Sequence, residues 1–420
     1  MTFIAVYLAI FLISMVVVGW IRRRKRLMDF TSLKTVTFGD ESTVRPDRAA
    51  SVISVAAIVV IWAAFTGSSL IPFHVPGPFI GTTDFRYTAV NGLGEQDEGT
   101  VTVAVFGGND EAVTPQAGPT DGFAVNDAIA MPARRSSLIK VAENDLGGDD
   151  PQYKIMAING APIQPGLSLP VANGDVTLTQ RGSLLFAPYA GMQMEPIWLP
   201  APEAVWARFV SIAQDGYQNS SLWQHIGSSV FRVVAGFLLG SLVGIPLGYA
   251  MGLSGWFRGW FDPIVEFMRP VPPLAMIPLI IIWFGIWETG KVVLLFLAAL
   301  WIMVIAARSG VSGVRVSKIH AAYSLGASKW QILCNVIVPN SLSEIFTGAR
   351  VAMGVCWGTV VAAELVAAQR GAGMMILVAS KFQLTDIVVM GIIIIGIIGY
   401  LFDISMRVAE RTLVPWKGRG

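Results

Sequence analysis

The chain has 420 residues, of which 54% are apolar and only 14% are charged, and its formal net charge is +2. This composition is too apolar for a soluble globular protein and is typical of a chain that crosses a membrane several times. The sequence contains no phosphate-binding glycine loop, no nucleophile elbow and no zinc motif, and its three histidines lack metal-ligand spacing. Nothing in the sequence therefore indicates that this chain hydrolyses a substrate itself.

Residues 1–26 predict an N-terminal membrane anchor that is extra to the spans that follow. The apolar run from Thr2 to Ile21 is long enough, at ~1.5 Å per residue, to cross a hydrocarbon core of ~30 Å. Five basic residues, 22–26, follow this run, whereas a cleaved signal peptide carries its positive charge before the apolar core. We expect a retained span with an outer N-terminus, then a cytoplasmic linker (27–48) and a span at 49–73.

Residues 74–198 differ in kind and predict an antiparallel β-sandwich outside the membrane. Polar and apolar side chains alternate with period two, as in residues 100–106, and Asn-Gly and Gly-Asp turn signals recur. Fourteen acidic residues against six basic ones give this block a net charge of −8, although the whole chain is slightly positive. An acidic, soluble domain between two spans is expected on the periplasmic face.

The strands within residues 124–192 resemble the first five strands of cadherin-like or bacterial Ig-like repeats. In those repeats an aromatic strand and a hairpin come last, whereas here the matching pair, residues 85–105, comes first. We infer a circularly permuted sandwich with both ends near the membrane. Such repeats often bind Ca²⁺ at Asp-rich turns, which makes Asp145, Asp149 and Asp150 weak calcium candidates. Solvated loop acids are the alternative, because turns also favour Asp and Gly.

Residues 199–420 predict a helical core that begins with an amphipathic helix after Trp198. The span from Ser228 carries glycines at four-residue spacing, which places small residues on one face for close helix packing; they are Gly236, Gly240, Gly244 and Gly248. A proline-rich turn then leads into a broken span, and the break serves either gating or shape. The pathway or gating candidates are Arg269, Pro270, Pro272, Pro273, Trp283, Phe284 and Glu364. Glu364, near the end of its span, is either interfacial or part of a polar path.

Residues 311–345 form a basic loop between two apolar runs, on the side of the membrane where Lys and Arg collect. Within it, residues 317–339, here called the docking segment, contain paired small residues, a Gly-Ala-Ser turn and an apolar stretch that closes at Pro339. This pattern predicts a short helix, a glycine turn, a second short helix and a proline stop.

The docking segment resembles the cytoplasmic loop of ABC importer permeases, in which Glu-Ala-Ala is followed at fixed spacing by Gly and Pro. The residues that match are Ala321, Ala322, Gly326, Ala327, Ser328 and Pro339, while His320 takes the usual place of Glu. The Arg-Pro-x-Pro-Pro and Trp-Phe-Gly motifs are similar to those of the nitrate, sulfonate and taurine branch. An ordinary loop between helices is the alternative to this resemblance.

The resemblance covers residues 49–73, as the first helix of the permease core, and residues 198–420, and it implies the six-span permease of a type I ABC importer. The extra N-terminal span and the sandwich are not part of the family pattern. Together these parts predict an all-α polytopic fold of about seven transmembrane helices with an inserted all-β sandwich. The resemblance also implies a second permease copy in a homodimer, a dimer of separate ATPase subunits that bind ATP and Mg²⁺, and a periplasmic solute-binding protein. This chain would then be a transport subunit without enzyme activity or cofactor, in the bacterial inner membrane with a cytoplasmic C-terminus. The solute would be a small anion, and taurine or another sulfonate is favoured over nitrate.

Two further hypotheses concern the sandwich. It would cover the outer mouth of the transporter and contact the binding protein. Alternatively, the whole chain would be a non-transporting, membrane-anchored adhesion or sensing protein that displays the sandwich.

Overall fold

The computed structural model describes residues 2–25, 48–107, 112–120 and 122–416, and the chain divides into two units, Met1–Glu195 and Pro196–Gly420. The predicted cytoplasmic linker, 27–48, lies outside the described residues except for Arg48.

The first unit begins with two helices, α1 (Thr2–Lys25) and α2 (Arg48–Thr66), which pack against each other. The hydroxyl groups of Tyr7 and Ser54 are 2.6 Å apart across this pair. The predicted span at 49–73 is too long, because α2 ends at Thr66 and Gly67 adopts a left-handed φ of +64°. A left-handed glycine is a common way to end a helix.

The β-domain follows α2 and consists of two sheets that share one core. Among its described residues the strands are β1 (Gly81–Val90), β2 (Gln96–Phe106), β3 (Asp127–Pro132), β4 (Ser137–Ile139), β5 (Lys154–Ile158), β6 (Ala161–Pro162), β7 (Ser168–Val171), β8 (Gly174–Leu178) and β9 (Leu184–Pro188). One sheet has the order β3-β2-β1-β5-β6 and the other β4-β9-β8-β7. Alternate side chains of β1 point inward, and the ring of Phe85 stacks on that of Phe186 from the opposite sheet, with centroids 5.9 Å apart.

The predicted β-sandwich is therefore confirmed, with one correction to its strand directions. β2 and β3 pair in parallel, from Val101 opposite Asp127 to Phe106 opposite Pro132. Parallel neighbours require the chain to return to the starting end of β2 before β3 begins at Asp127. The circular permutation relative to Ig-type repeats stays a prediction.

The second unit is a helical bundle. Its helices are α3 (Pro202–Asp215), α4 (Leu222–Leu253), α5 (Gly255–Met268), α6 (Ile277–Phe284), α7 (Glu288–Ser312), α8 (Val316–Ser324), α9 (Lys329–Ile332), α10 (Val338–Ala367), α11 (Ala372–Lys381) and α12 (Thr385–Leu413). The glycine face of α4 packs on α7, as predicted, and a Cβ built on Gly248 would lie 2.5 Å from the carbonyl oxygen of Val304. Backbones this close leave no room for a larger side chain.

Within the described residues, five helices are long and apolar enough to cross a membrane, and the bent pair α5 and Pro273–Phe284 makes a sixth possible. In α1 the apolar stretch found is shorter, Ile4–Val18. The helical multi-span fold with an inserted β-sandwich is confirmed, while the count of seven spans, which includes α1, stays a prediction.

Two neighbouring carboxylates, the partly buried Asp127 and the buried Asp145, give the sandwich a predicted pH dependence. Burial, followed by repulsion from Asp145, raises the pKa of Asp127 from 3.8 to about 6, although Asn144 donates a hydrogen bond of 3.0 Å to this carboxylate. The folded sandwich therefore keeps a proton that the unfolded chain loses near pH 4. Its stability should fall as the pH rises from about 4 to about 6 and stay at the lower level above that.

The change Asp127→Asn removes this penalty and keeps the acceptor for Asn144. At pH 7.5 we expect slower amide hydrogen exchange in β2 and β3 of the full-length variant than in the wild type, and a smaller difference at pH 5, inside the range in which the stability of the wild type falls. Mass spectrometry of the protein in nanodiscs measures this, with Asp84→Asn, at an exposed position of β1, as the control. Equal protection of variant and wild type at pH 7.5 would contradict the prediction.

Candidate functional site

The docking segment has the local structure that its sequence predicts. Helix α8 ends before Gly326, which has a φ of +80°, and α9 begins after Ser328. The Ser328 hydroxyl accepts a hydrogen bond from the backbone N–H of Gln331 (3.3 Å), while the Gln331 side chain accepts one from the N–H of Ser328 (2.8 Å). This reciprocal cap fixes the start of α9.

The proline stop, in contrast, is wrong. Helix α9 continues through a π-helical turn, Leu333–Ile337, directly into α10, and Pro339 lies in the first turn of α10. Proline is tolerated in the first turn of a helix because the N–H groups there have no regular hydrogen-bond partner, so the missing N–H of proline costs little. The π-turn that precedes Pro339 shifts the hydrogen-bond register of the helix. The docking segment is therefore joined to the longest candidate span, Lys329–Leu365, without a break.

The two faces of the docking segment have different surroundings. Toward the bundle, Ala322 and Ala327 pack with Ile319 against an apolar cluster that consists of Val311, Val314, Ile332 and Ile337. On the outer face lie exposed side chains, which are His320, Ala321, Tyr323, Leu325 and Trp330, and Leu325 is 87% exposed. Ala322 thus serves internal packing, whereas Ala321 leaves the outer backbone accessible.

The charges of this loop have one sign. From Gly313 to Ser343 the charged residues are Arg315, Lys318 and Lys329, and there is no acidic residue. Lys318 donates a 2.7 Å hydrogen bond to Asn340 at the start of α10. The outer face is therefore apolar and basic, which suits a partner that offers an apolar groove with acidic groups.

The predicted broken span is present between α5 and α6. Arg269 follows α5 at 3.8 Å from Glu266, and Pro273 opens a 3₁₀ turn before α6, so that the two segments meet at 91°. Pro270 and Pro272 lie within the bend, and Trp283 and Phe284 are exposed at the end of α6. The prolines between α5 and α6 explain the bend. A role of the bend in gating stays a prediction.

A buried ionic cluster, here called the Arg232 network, lies at the other end of the bundle. Arg232 on α4 is 2% exposed and contacts both oxygens of Glu288 on α7, at 2.5 and 2.7 Å. It also donates a 2.6 Å hydrogen bond to the fully buried Glu364 on α10. Lys291 lies 3.0 Å from Glu288, so two bases balance two acids.

The network also holds the start of α11. The backbone N–H groups of Gly371 and Ala372 donate to His225 Nδ1 (3.1 Å) and to the Ser229 hydroxyl (3.0 Å), and that of Gly373 donates to Glu364 (3.0 Å). Gly371 has a φ of +145°, and a Cβ there would collide with the Glu364 carboxylate. Only glycine therefore allows this close approach.

The network and the docking segment are far apart. Helix α7 carries Glu288 in its first turn and reaches the docking end at Ser312, ~36 Å away at ~1.5 Å per residue. Glu364 lies inside an ion network, whereas the sequence analysis predicts either an interfacial position or a place in a polar path. The sequence analysis did not identify Arg232 or Glu288. Arg232 could have been found as a single arginine within a long apolar span, because a charge in such a position requires a partner.

The calcium candidates do not come together as a metal site. Asp145 is buried and accepts hydrogen bonds from the hydroxyls of Tyr87 and Tyr153 and from the N–H of Val125. Asp149 and Asp150 are exposed. In the described part of the chain, no three His, Cys, Asp or Glu side chains are grouped so that they could hold a metal ion.

Comparison with known proteins identifies a family whose model matches a range within the second unit. The family model described as "Binding-protein-dependent transport system inner membrane component" matches residues 236–414. The taurine transport system permease protein of Escherichia coli (strain K12) is 46% identical over 226 residues, which cover 54% of this chain and 82% of that protein. The nitrate import permease protein of Synechocystis is 31% identical over 201 residues, 48% of this chain and 73% of that one.

Two further comparisons have lower similarity or lower coverage. The putative aliphatic sulfonates transport permease protein of Escherichia coli is 38% identical over 218 residues, 52% of this chain and 81% of that protein. Among solved structures, an inward-facing methionine ABC transporter matches with a TM-score of 0.42 and 17% identity, over 46% of this chain and 95% of that one.

The Arg232 network should be a main source of stability in the second unit. Arg232→Gln leaves Glu364 buried without a cation, and breaking such a pair costs about 3–5 kcal/mol. We expect a clearly lower midpoint of thermal unfolding in detergent. Arg258→Gln, which removes an exposed pair with Asp262 at 3.7 Å, should cost about 1 kcal/mol or less. Equal effects of the two substitutions would contradict this role of the network.

Proposed function

Since the chain belongs to the family of binding-protein-dependent transport system inner membrane components and is an ABC importer permease subunit, we propose that it imports taurine or another sulfonate. The observation that carries this proposal is the 46% identity to a taurine permease over 226 residues. Its match to a nitrate permease is weaker, at 31% over 201 residues. A small organic anion that carries a sulfonate group is therefore the solute that the similarity favours.

In this proposal a separate ATPase subunit, which holds ATP and Mg²⁺, docks on the outer face of the docking segment. Leu325 and Trp330 are exposed there without an internal packing role, and Ala321 lets a partner approach the helix backbone. His320 stands where related loops carry an acid, so the partner would supply an acidic group rather than a basic one. The exposed, capped and basic segment supports this arrangement.

Movement of the ATPase would reach the far end of the bundle through α10. The docking segment packs on the bundle through its inner face and continues through the π-turn into α10. At its other end α10 carries Glu364, which binds Arg232 of α4 and the backbone of α11. A rigid shift at the docking segment would therefore change how α4, α10 and α11 meet, which is the kind of motion that alternating access needs.

Orientation follows from charge. The basic loop and Arg407 and Arg411 of α12 would face the cytoplasm, so that the Arg232 network and the acidic residues 74–198 lie on the periplasmic side of a bacterial inner membrane. The position of the C-terminus in the cytoplasm belongs to the same proposal.

The translocation pathway would lie between two copies of this chain along an open face of α10. Val351 and Leu365 are exposed on this face, and a Cβ built on Gly354 or Gly358 between them would contact nothing within 4 Å. Every other side of α10 packs on the bundle through its contacts with α4, α7, α11 and α12. An open, small-residue face on a helix that packs on four others supports close approach of a second helix there.

The proposed function is tested with the chain in nanodiscs together with the ATPase subunit and the solute-binding protein encoded in the same operon. We expect taurine-loaded binding protein to stimulate ATP hydrolysis and nitrate to leave it unchanged. Failure of the unaltered chain to associate with the ATPase would overturn the importer and favour a membrane-anchored surface protein.

Docking is tested in the same assay with Ala321→Trp. The position is exposed, so the bundle should fold, but the indole would block the close approach of the ATPase, and stimulated hydrolysis should be lost. Ser405→Trp, at an equally exposed position of α12, is the matched control and should keep stimulation. Normal stimulation in Ala321→Trp would place ATPase docking elsewhere.

Two glycine substitutions separate pathway from packing. Gly358→Leu adds a side chain in open space, so we expect a normal unfolding midpoint with loss of stimulated hydrolysis. Gly248→Leu forces a side chain against the backbone of α7 and should lower the unfolding midpoint or prevent folding. Full activity of Gly358→Leu would exclude this face of α10 from the pathway.

A further inference from the structure

Two leucine side chains are exposed to solvent at one end of the sandwich. Leu93, in the β1–β2 turn, is 85% exposed, and Leu146, in the loop before β5, is 68% exposed. The two loops touch, because a Cβ built on Gly92 would collide with the carboxylate of Asp150. Single exposed leucines are ordinary, but here two lie on adjoining loops at one end of the sandwich.

The loops that carry these two leucines lie at the end of the sandwich remote from α2. At the near end, the N–H of Phe79 donates to the carbonyl of Tyr189 (2.9 Å), and Met194 N–H donates to Phe65 at the end of α2 (2.7 Å). From Gly81, β1 runs for ten residues away from this junction, ~33 Å at ~3.3 Å per residue. The leucines therefore lie about the length of β1 away from the junction with α2.

Both loops are fixed by hydrogen bonds. The Asn91 side-chain oxygen accepts from the N–H groups of Leu93 and Glu95, each at 3.0 Å, and the Asn91 carbonyl accepts from Gly94. In the second loop, the N–H of Leu146 donates to Phe123 (2.9 Å), directly after the buried Asp145. Since the loops are already ordered, a partner that binds the leucines loses little conformational entropy on binding.

Acidic residues surround the two leucines. Glu95, Asp149 and Asp150 are exposed in the same loops, while Lys154, opposite Val90 at the start of β5, is a base at this end. The excess of acid would repel the anionic surface of a membrane and attract a protein surface with lysine or arginine. The shape and the charge of this end therefore fit a soluble protein with basic groups around an apolar hollow.

We propose that this leucine end, Leu93, Leu146, Glu95, Asp149 and Asp150, is a docking surface for the solute-binding protein. The inference rests on the proposed function, because only an importer of this kind receives solute from such a protein. It gives the inserted sandwich a task that the helical bundle does not perform, which is to capture the binding protein and raise its local concentration at the transporter.

The test uses the full chain in nanodiscs and the purified solute-binding protein from the same operon, with the Kd measured by biolayer interferometry. The double variant Leu93→Asp with Leu146→Asp should bind at least about tenfold more weakly, because two apolar anchors are lost. Leu138→Asp, at an exposed position of β4 away from the leucine end, is the control and should bind normally. Amide hydrogen exchange verifies that both variants keep the sandwich folded.

Charge is tested separately. Glu95→Lys with Asp149→Lys should weaken binding and reduce its dependence on salt, because complementary charge is removed. An unchanged Kd in both double variants, with stimulated ATP hydrolysis intact, would overturn the leucine end as a docking surface and leave the importer standing. Absence of both binding and stimulation in the unaltered chain would overturn the proposed function together with this inference.

Discussion

The second unit depends on one buried charge. Arg232 is almost completely removed from solvent, and an unpaired guanidinium there would cost several kcal/mol. Its partners Glu288 and Glu364 come from two other helices, so α4, α7 and α10 can pack in only one relative register. The same carboxylate of Glu364 accepts from the backbone of α11, and the short helix is thereby placed as well.

The continuity of α9, the π-turn and α10 complements this constraint. A rigid helical path begins at an exposed, basic surface and ends at the buried ion network. The two ends of the bundle are therefore joined by one continuous helical path, along which the proposed movement of the docking segment would be transmitted.

The sandwich is built on the same principle with different chemistry. Its core comes from alternate residues of both sheets, and the buried Asp145 joins Tyr87 of β1 to the loops around Val125 and Tyr153. The core of the domain and its buried polar centre are thus formed by its own residues.

Features that depend on local pattern could be predicted from the sequence: long apolar runs predicted the helices of the bundle, period-two alternation predicted the strands, and the glycine turn with Ser328 predicted the two short helices. Only the tertiary structure paired Arg232 with Glu364, 132 positions away, set β2 and β3 in parallel, and turned Ala322 inward. It also showed Pro339 inside a continuous helix. Local pattern fixes dihedral angles and faces, but which distant groups meet depends on how the elements pack, and a buried charge reveals its partner only there.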